Sequence, residues 1–311
     1  MPFFSVIIPV YNRAHRLPYV LESLKQQTFH DFETIIVDDA STDNSYQVAM
    51  DYKLLNKIVL RNERNCERCV TRNRGIDVAK GQYICFLDSD DYHLPEHFQK
   101  LHDFIVSKGN PTAFFFTNAW NETEDGIRTE RCCPDFENYN PYTYFLRYTV
   151  NPQRWAVHRD ILREVRFDPN VTIAEDMDLS LRIVDKGFLA FQLNECTTVY
   201  VAASDSFTHG AMDKAERELL CYNQIFARKE LAPHLPKPET RRLKSQCYFH
   251  LMEKAFAENQ KWGTLKNGVY SFVLYPRGYN GKTNKIVLVS CVYSLPLLGG
   301  LLSLIKRWKT L

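Results

Sequence analysis

The sequence predicts an α/β fold with a mainly parallel β-sheet, followed by a helical extension. Short apolar runs alternate with helical stretches over the first 120 residues, a pattern that is typical of βαβ units. Acidic clusters directly follow two of the apolar runs. The composition, with 45% hydrophobic and 24% charged residues in a chain of 311, excludes a disordered protein, a collagen and a coiled coil.

Five apolar runs predict strands in this first part of the chain. The first, residues 4–10, is rich in β-branched residues, as in a strand that is buried on both faces. The other runs are residues 32–37, 57–60, 83–87 and 113–117. Helices are predicted where apolar residues recur at helical spacing, in residues 17–24, and in residues 68–79, which end at Lys80-Gly81.

The rest of the chain changes character twice. Residues 120–205 are mixed, and residues 207–260 have a helical pattern with a break at residues 233–238. No acidic residue follows Glu258, whereas eight Lys or Arg do, so residues 259–311 have a net charge of +8 and the preceding residues −6. The C-terminal end is therefore predicted to prefer an anionic surface.

Residues 286–305 form a run of twenty residues without a charge, which is long enough to cross a bilayer. Pro296 and Gly299-Gly300 interrupt the run, and basic residues flank both of its ends. We therefore favour a monotopic or hairpin insertion into the cytoplasmic leaflet. A tail-anchored span and a helix packed against the catalytic domain are the alternatives.

Two further features predict a cytoplasmic protein. Met1 leads directly into the first apolar run, without the basic segment and cleavage site of a secretory signal. Nine cysteines, an odd number scattered along the chain, are typical of reduced thiols. The expected location is thus cytoplasmic, peripheral or monotopic at the inner face of the cell membrane, and no nucleic-acid partner is expected.

The first two acidic clusters predict a metal–diphosphate site. Asp38-Asp39 follows the second apolar run, and Asp88-Ser89-Asp90-Asp91 follows the fourth. Ligands of open α/β sheets bind outside the carboxyl ends of the strands, where both clusters would lie. Clustered carboxylates suit Mg²⁺ or Mn²⁺, which would also hold phosphates of a substrate. The alternative for each cluster is a solvated turn whose Asp caps a helix.

Three more positions have a functional and a structural interpretation. Glu175-Asp176 opens a predicted helix, where acids are favoured by the helix dipole, but one carboxylate there could act as a general base. Trp155 could stack on a sugar face or fill the core. His209 could reach the metal or the diphosphate, or be a surface residue at a helix start.

In order along the chain, five motifs resemble the family 2 inverting glycosyltransferases. They are residues 5–12 (SVIIPVYN), 37–43 (VDDASTD), 65–75 with Thr71-Arg72-Asn73-Arg74-Gly75, 81–91 (GQYICFLDSDD) and Glu175-Asp176. The match extends over about residues 3–205. It implies the GT-A fold, a Rossmann-like sheet that binds a nucleotide sugar, and it places Glu67 where the family often has Gly.

The resemblance also implies roles for individual residues. Asp39 matches the residue that reads the base, Asp90 the metal ligand, and Asp176 the catalytic base. Asp88 matches a residue near the ribose and is a second candidate metal ligand, and Glu175 and Trp155 are assigned to the acceptor side. Residues assigned to nucleotide-sugar binding are Pro9, Val10, Tyr11, Asp38, Asp39, Arg72, Asp88 and Ser89.

The resemblance thus predicts an inverting glycosyltransferase that uses Mn²⁺ or Mg²⁺ and a nucleotide sugar, most often a UDP-sugar. Its acceptor would be a hydroxyl of a lipid-linked or cell-surface glycan precursor. Residues 1–205 would be the catalytic domain, with the donor side in 1–120 and the acceptor side in 121–205, and residues 206–311 a helical extension that reaches the membrane through 286–311. A catalytically inactive binding module and a nucleotidyltransferase on a similar sheet remain alternatives.

Overall fold

In the computed structural model, residues 1–202 and 211–276 are described. The chain divides into two compact units, residues 1–206 and 207–311. The first unit is built around one sheet of nine strands in the order β3-β2-β1-β4-β8-β6-β9-β5, with β7 paired to β6. The second unit is helical in its described part.

The first half of the sheet is parallel and made of alternating strands and helices. β1, β2, β3 and β4 lie side by side in the order β3-β2-β1-β4, and all three pairings among them are parallel. The elements are β1 (Phe4–Val10), α1 (Leu17–Lys25), β2 (Phe32–Asp38), α2 (Ser45–Asp51), β3 (Lys57–Arg61), α3 (Glu67–Val78) and β4 (Tyr83–Phe86).

The second half of the sheet is mixed. β8 runs antiparallel to both β4 and β6, β9 runs parallel to β6, and β5 and β7 add antiparallel pairings. Its elements are β5 (Tyr92–His93), α4 (His97–Ser107), β6 (Phe114–Glu122), β7 (Arg128–Arg131), α5 (Pro141–Arg147), β8 (Trp155–His158), α6 (Arg159–Glu164), α7 (Glu175–Asp185) and β9 (Ala190–Val201).

The expectation of a mainly parallel sheet is therefore wrong beyond β4. Within residues 1–202, four of the eight strand pairings are antiparallel. Residues 120–205, which showed only a mixed pattern, contain β7, β8 and β9. These strands bury one edge of the parallel half, because β8 covers β4 and leaves no exposed apolar edge there.

Close packing positions α3 on this sheet. Gly75 faces β1, and a Cβ at Gly75 would lie 2.5 Å from Ile7 Cγ2. A glycine inside a helix weakens it relative to alanine, but here it lets the helix approach the strand. This close contact holds α3 against β1.

The second unit contains α8 (Ala211–Phe226), α9 (Lys237–Ala257) and α10 (Lys261–Leu274). The interruption predicted at residues 233–238 begins between α8 and α9, and its last two residues, Lys237 and Pro238, are the first two of α9. Among the described residues, none of the helices is both long and apolar enough to span a bilayer. The apolar run 286–305 and His209 lie outside the described residues.

Candidate active site

Loops from neighbouring parallel strands meet at one edge of the sheet. The chain leaves β1 through Tyr11, leaves β2 at Asp39, and leaves β4 just before Asp88. Because β2, β1 and β4 are adjacent and parallel, these three turns open on the same side. The sequence-based prediction that the two acidic clusters share this edge is consistent with this arrangement.

Asn12 joins the first two of these loops. Its backbone has a φ of 52°, a left-handed conformation that Asn tolerates better than most residues. Its backbone N–H donates to Ser41 Oγ at 3.0 Å, and its side-chain Oδ1 accepts from the Thr42 N–H at 2.8 Å. Sequence reasoning quoted Asn12 only as part of a motif. The tendency of Asn to adopt left-handed turn conformations is the signal that would have predicted this role.

The two acids after β2 have different environments. Asp38 is fully buried, and its Oδ2 accepts from the Ser41 N–H at 3.2 Å and pairs with Arg61 Nε at 3.2 Å. Asp39 Oδ1 accepts from Asn62 Nδ2 at 2.6 Å and from the Cys66 N–H at 2.9 Å. Asp39 therefore ties the β2 loop to the start of α3.

Two residues assigned to nucleotide-sugar binding do not reach the surface. The side chain of Val10 is 1% exposed and that of Asp38 is 0% exposed. Val10 instead accepts a hydrogen bond from the Asp39 N–H through its carbonyl oxygen, at 2.7 Å. Tyr11, in contrast, is exposed at the edge of the sheet.

The acidic loop after β4 contains three carboxylates with distinct partners. Asp88 Oδ1 accepts from Arg72 Nη2 at 2.8 Å, and Asp90 Oδ2 lies 3.8 Å from Arg13 Nη2. Burial raises the pKa of Asp90, and the negative charge of Asp88 raises it further. The negative charges of these two carboxylates thus repel each other, and a bound cation would reduce this repulsion.

Asp91 is a structural anchor. It is buried, its Oδ2 accepts from Gln153 Nε2 at 2.7 Å, and its Oδ1 accepts from the Val201 N–H at 3.0 Å. Burial raises the pKa of Asp91 well above its usual range. The last acid of the cluster therefore fixes the loop to the end of β9 and leaves Asp88 and Asp90 to face the site.

Asp88 and Asp90 fit a divalent cation in one specific way. Among residues 1–202 and 211–276, no group of three or more His, Cys, Asp or Glu side chains is arranged to hold a metal ion. Mg²⁺ and similar cations, however, are often bound by one or two carboxylates together with phosphates of the substrate. A pair of hard oxygen ligands at the edge of the sheet fits that second mode.

Arg72 connects the acidic loop to the start of α7. Its guanidinium is buried and donates through Nη2 to Asp88 and through Nη1 to Glu175 Oε1 at 2.9 Å. Arg68 Nη1 lies 3.4 Å from the same Glu175 oxygen. Glu175 is thus paired with two arginines of α3, and these pairs fix its carboxylate at the start of α7.

Asp176 is a buried carboxyl group in the first turn of α7. Burial, and next the negative charge of Glu175, raise its pKa to about 7. Its Oδ1 accepts from the Met177 N–H at 2.8 Å. Ala174, directly before α7, has a φ of 61°, a conformation that costs a non-glycine residue free energy and is frequent at active sites. Catalytic bases work best with a pKa near the working pH.

The interpretation of Trp155 as a sugar-stacking residue is wrong for this conformation. Its indole is 0% exposed, lies parallel to the Phe167 ring at 6.2 Å, and donates through Nε1 to the Val150 carbonyl at 2.8 Å. The indole is therefore packed inside the first unit with its N–H hydrogen-bonded, as core packing predicts.

The sequence of this chain is similar to those of known glycosyltransferases. A family model described as Glycosyl transferase family 2 matches residues 5–166. The glycosyltransferase TuaG of Bacillus subtilis (strain 168), named for teichuronic acid biosynthesis, is 28% identical over 227 residues, which cover 72% of this chain and 88% of TuaG. The amylovoran biosynthesis glycosyltransferase AmsB of Erwinia amylovora is 28% identical over 60% of this chain and 65% of its own length.

Solved structures share the fold. Staphylococcus aureus TarS residues 1–349 in complex with UDP-GlcNAc superpose with a TM-score of 0.63 and 21% identity, over 89% of this chain and 82% of that one. The mannosyltransferase PcManGT of Pyrobaculum calidifontis, in complex with GDP-Man and Mn²⁺, has a TM-score of 0.57 and 16% identity, over 95% and 87%. The predicted GT-A fold is thus confirmed.

Proposed function

Because this chain belongs to glycosyl transferase family 2, we propose that it transfers a sugar from a nucleotide sugar to a hydroxyl of a glycan or lipid-linked precursor, with inversion at the anomeric carbon. The observation that carries this proposal is the chain of ion pairs Asp88–Arg72–Glu175, in which Arg72 and Glu175 are buried and which ends one residue before Asp176. It links the loop suited to a cation and a diphosphate with a carboxyl group suited to proton transfer.

In the proposed reaction Asp176 accepts the proton of the acceptor hydroxyl. The acceptor oxygen then forms a bond to the anomeric carbon from the face opposite the diphosphate, and the bond between that carbon and the phosphate oxygen breaks. A single displacement inverts the centre, so an α-linked nucleotide sugar gives a β-glycoside. A positioned base of this kind contributes on the order of 10²–10⁴-fold to the rate.

Asp90 and Asp88 would hold the divalent cation, either Mn²⁺ or Mg²⁺. When bound, the cation would neutralise negative charge on the diphosphate. The GDP-Man and Mn²⁺ complex of PcManGT supports this assignment by analogy of fold. Residues 1–120 would supply the donor side, with Tyr11 and Asp39 near the nucleoside, and residues 121–205 would supply the base and the acceptor side.

The names of the relatives guide the choice of donor and acceptor. TuaG and AmsB are named for the biosynthesis of cell-surface polysaccharides, which supports a glycan or lipid-linked acceptor for this chain. TarS was solved with UDP-GlcNAc, which makes UDP-sugars the first donors to test. For residues 286–311 we propose attachment to the inner face of the cell membrane, as their apolar and basic composition favours.

The deciding experiment is nucleotide release from a panel of UDP-, GDP- and dTDP-sugars, with Mn²⁺, with Mg²⁺ and with chelator. We expect release from one nucleotide class only, and loss of release in chelator. In the Asp176→Asn variant we expect the nucleotide still to bind while transfer is lost, because the base acts on the acceptor. Equal loss of nucleotide affinity and rate in this variant would contradict the role of Asp176 as base.

A further inference from the structure

Helix α10 has its large apolar side chains on the outside. Trp262 is 76% exposed, Val273 68% and Val269 48%, and their spacing of seven and four residues puts them on one face of the helix. Tyr270 and Phe272 flank this face and are also exposed. We call the five residues Trp262, Val269, Tyr270, Phe272 and Val273 the outer face of α10.

The opposite face of α10 is small and polar, and it is the face that packs. Thr264, Gly268 and Ser271 are buried, at the spacing of four and three residues that defines one side of a helix. Ser245 Oγ of α9 donates to the Ser271 carbonyl at 2.8 Å, and Ser271 Oγ donates to the Ser245 carbonyl at 2.9 Å. The contact between α9 and α10 is thus made by small residues and reciprocal hydroxyl hydrogen bonds.

This arrangement is the reverse of the one found in a water-exposed helix. An amphipathic helix of a globular protein normally buries its large apolar residues and exposes its polar ones. Helices in a lipid environment instead pack through small residues and hydroxyl groups, and turn their large apolar side chains to the acyl chains. α10 follows the second pattern.

The charge of α10 and of the chain that follows it also favours a lipid environment. Lys266 lies among the exposed residues of α10, and residues 259–311 contain eight Lys or Arg and no acid. The chain continues from α10 into the uncharged run 286–305. A second copy on this face would bring two sets of positive charges together, whereas anionic lipid headgroups would complement them.

We propose that the outer face of α10 is a contact surface for a bilayer that contains anionic phospholipid, separate from the apolar run 286–305. The helix has 14 residues, so it is about 21 Å long, which is too short to cross a hydrocarbon core of about 30 Å. It would lie in the plane of the interface, with Trp262, Val269 and Val273 among the acyl chains and Lys266 at the headgroups.

The test measures binding of the full chain to vesicles of phosphatidylcholine with phosphatidylglycerol, without donor or acceptor. We expect the Trp262→Gln, Val269→Gln, Val273→Gln triple variant to lower the partition coefficient by about tenfold or more. The matched control is the triple variant Leu55→Gln, Ile127→Gln, Leu189→Gln, which removes three apolar side chains of the first unit that are each more than half exposed and should not change binding.

A second measurement locates Trp262 directly. Brominated acyl chains should quench tryptophan fluorescence of the wild-type chain, and a large part of that quenching should be lost in the Trp262→Phe variant. Equal vesicle binding by both triple variants, or equal quenching of Trp262→Phe and wild type, would overturn the proposal. So would a wild-type dimer in the absence of lipid that becomes a monomer in the α10 triple variant. Nucleotide release by that variant should be unchanged, so failure of this inference is distinguishable from failure of the proposed reaction.

Discussion

Arg72 Nη1 and Glu175 Oε1 lie 2.9 Å apart although 103 residues separate them in the chain. Both side chains are buried, and the second amino group of Arg72 holds Asp88. A buried ion pair of this kind contributes little net stability over an apolar pair, but removal of one partner is costly because the other charge is left in the interior. The pair therefore makes the position of α7 depend on α3.

Arg72→Met should destabilise the protein strongly. We expect the free energy of unfolding to fall by about 3–5 kcal/mol, because the Glu175 carboxylate loses its nearest partner while it stays buried. The control is Arg163→Met, which removes the exposed pair with Asp160 and should change stability by about 0.5 kcal/mol or less. Urea denaturation of both variants measures the difference, and losses of similar size would contradict the assigned role of Arg72.

The pH dependence should follow Asp176. Its pKa of about 7 means that the carboxyl is protonated, and inactive as a base, at lower pH. We expect kcat/KM to fall tenfold per pH unit below about 7. A profile that stays flat down to pH 5 would contradict the assignment of the base.

The raised pKa of Asp176 also affects stability: activity should rise with pH, whereas the contribution of Asp176 to stability should fall. Since the folded-state pKa is raised above the unfolded value of about 3.9, the folded protein holds this proton more tightly, and the contribution of Asp176 to stability declines as pH rises from about 4 to about 7. In Asp176→Asn this contribution is absent. The stability of the Asn variant relative to wild type should therefore increase over that interval, as measured by urea denaturation at each pH.

Asp90→Asn should separate cation binding from folding. We expect the affinity for Mn²⁺ in the presence of UDP to fall by about tenfold or more, with the thermal midpoint unchanged or raised, because the variant removes a desolvated charge beside Asp88. Asp125→Asn, in an exposed turn, is the control. Calorimetric titration with Mn²⁺ is the measurement, and wild-type turnover of Asp90→Asn in limiting Mn²⁺ would exclude the proposed ligand.

Glu67 occupies a backbone position that favours glycine. It has a φ of 67°, and its side chain is exposed. Glu67→Gly should raise the free energy of unfolding by about 1 kcal/mol, since glycine has no steric cost in the left-handed region. Glu67→Ala removes the same side chain but keeps the strain, and should leave stability near that of wild type. A Gly variant less stable than the Ala variant would contradict this explanation.

The parallel half of the sheet was predictable because each strand is a continuous apolar run. β1 and β2 are buried along nearly their whole length, so periodicity and composition both indicate them. β5 has two residues and β8 four, too few to show a period. Their strand conformation depends on pairing with β9, β4 and β6, which no local pattern encodes.

Some residues of the candidate site were predictable from the sequence, and others were not. Asp39, Asp88 and Asp90 were predictable from their position after apolar runs, and the structure places them on adjacent loops of one edge. The role of Asp91 as an anchor was not, because it depends on Gln153 and on the backbone of Val201. The burial of Trp155 likewise depends on its contact with Phe167. The sequence alone does not distinguish a tryptophan that packs in the core from one that stacks on a sugar.

The insertion of β8 beside β4 has a consequence for synthesis of the protein. β4 ends at Phe86 and β8 begins at Trp155, so at translation rates of about 5–20 residues per second β8 is synthesised about 3–14 seconds after β4. During that interval the edge of β4 that later pairs with β8 is exposed to other chains and to chaperones. The acidic loop after β4 is completed later still, because its residue Asp91 accepts a hydrogen bond from the Val201 N–H. A ribosome stalled before residue 201 would hold a chain in which Asp88 and Asp90 are already made, while Asp91 still lacks its hydrogen bond to the end of β9.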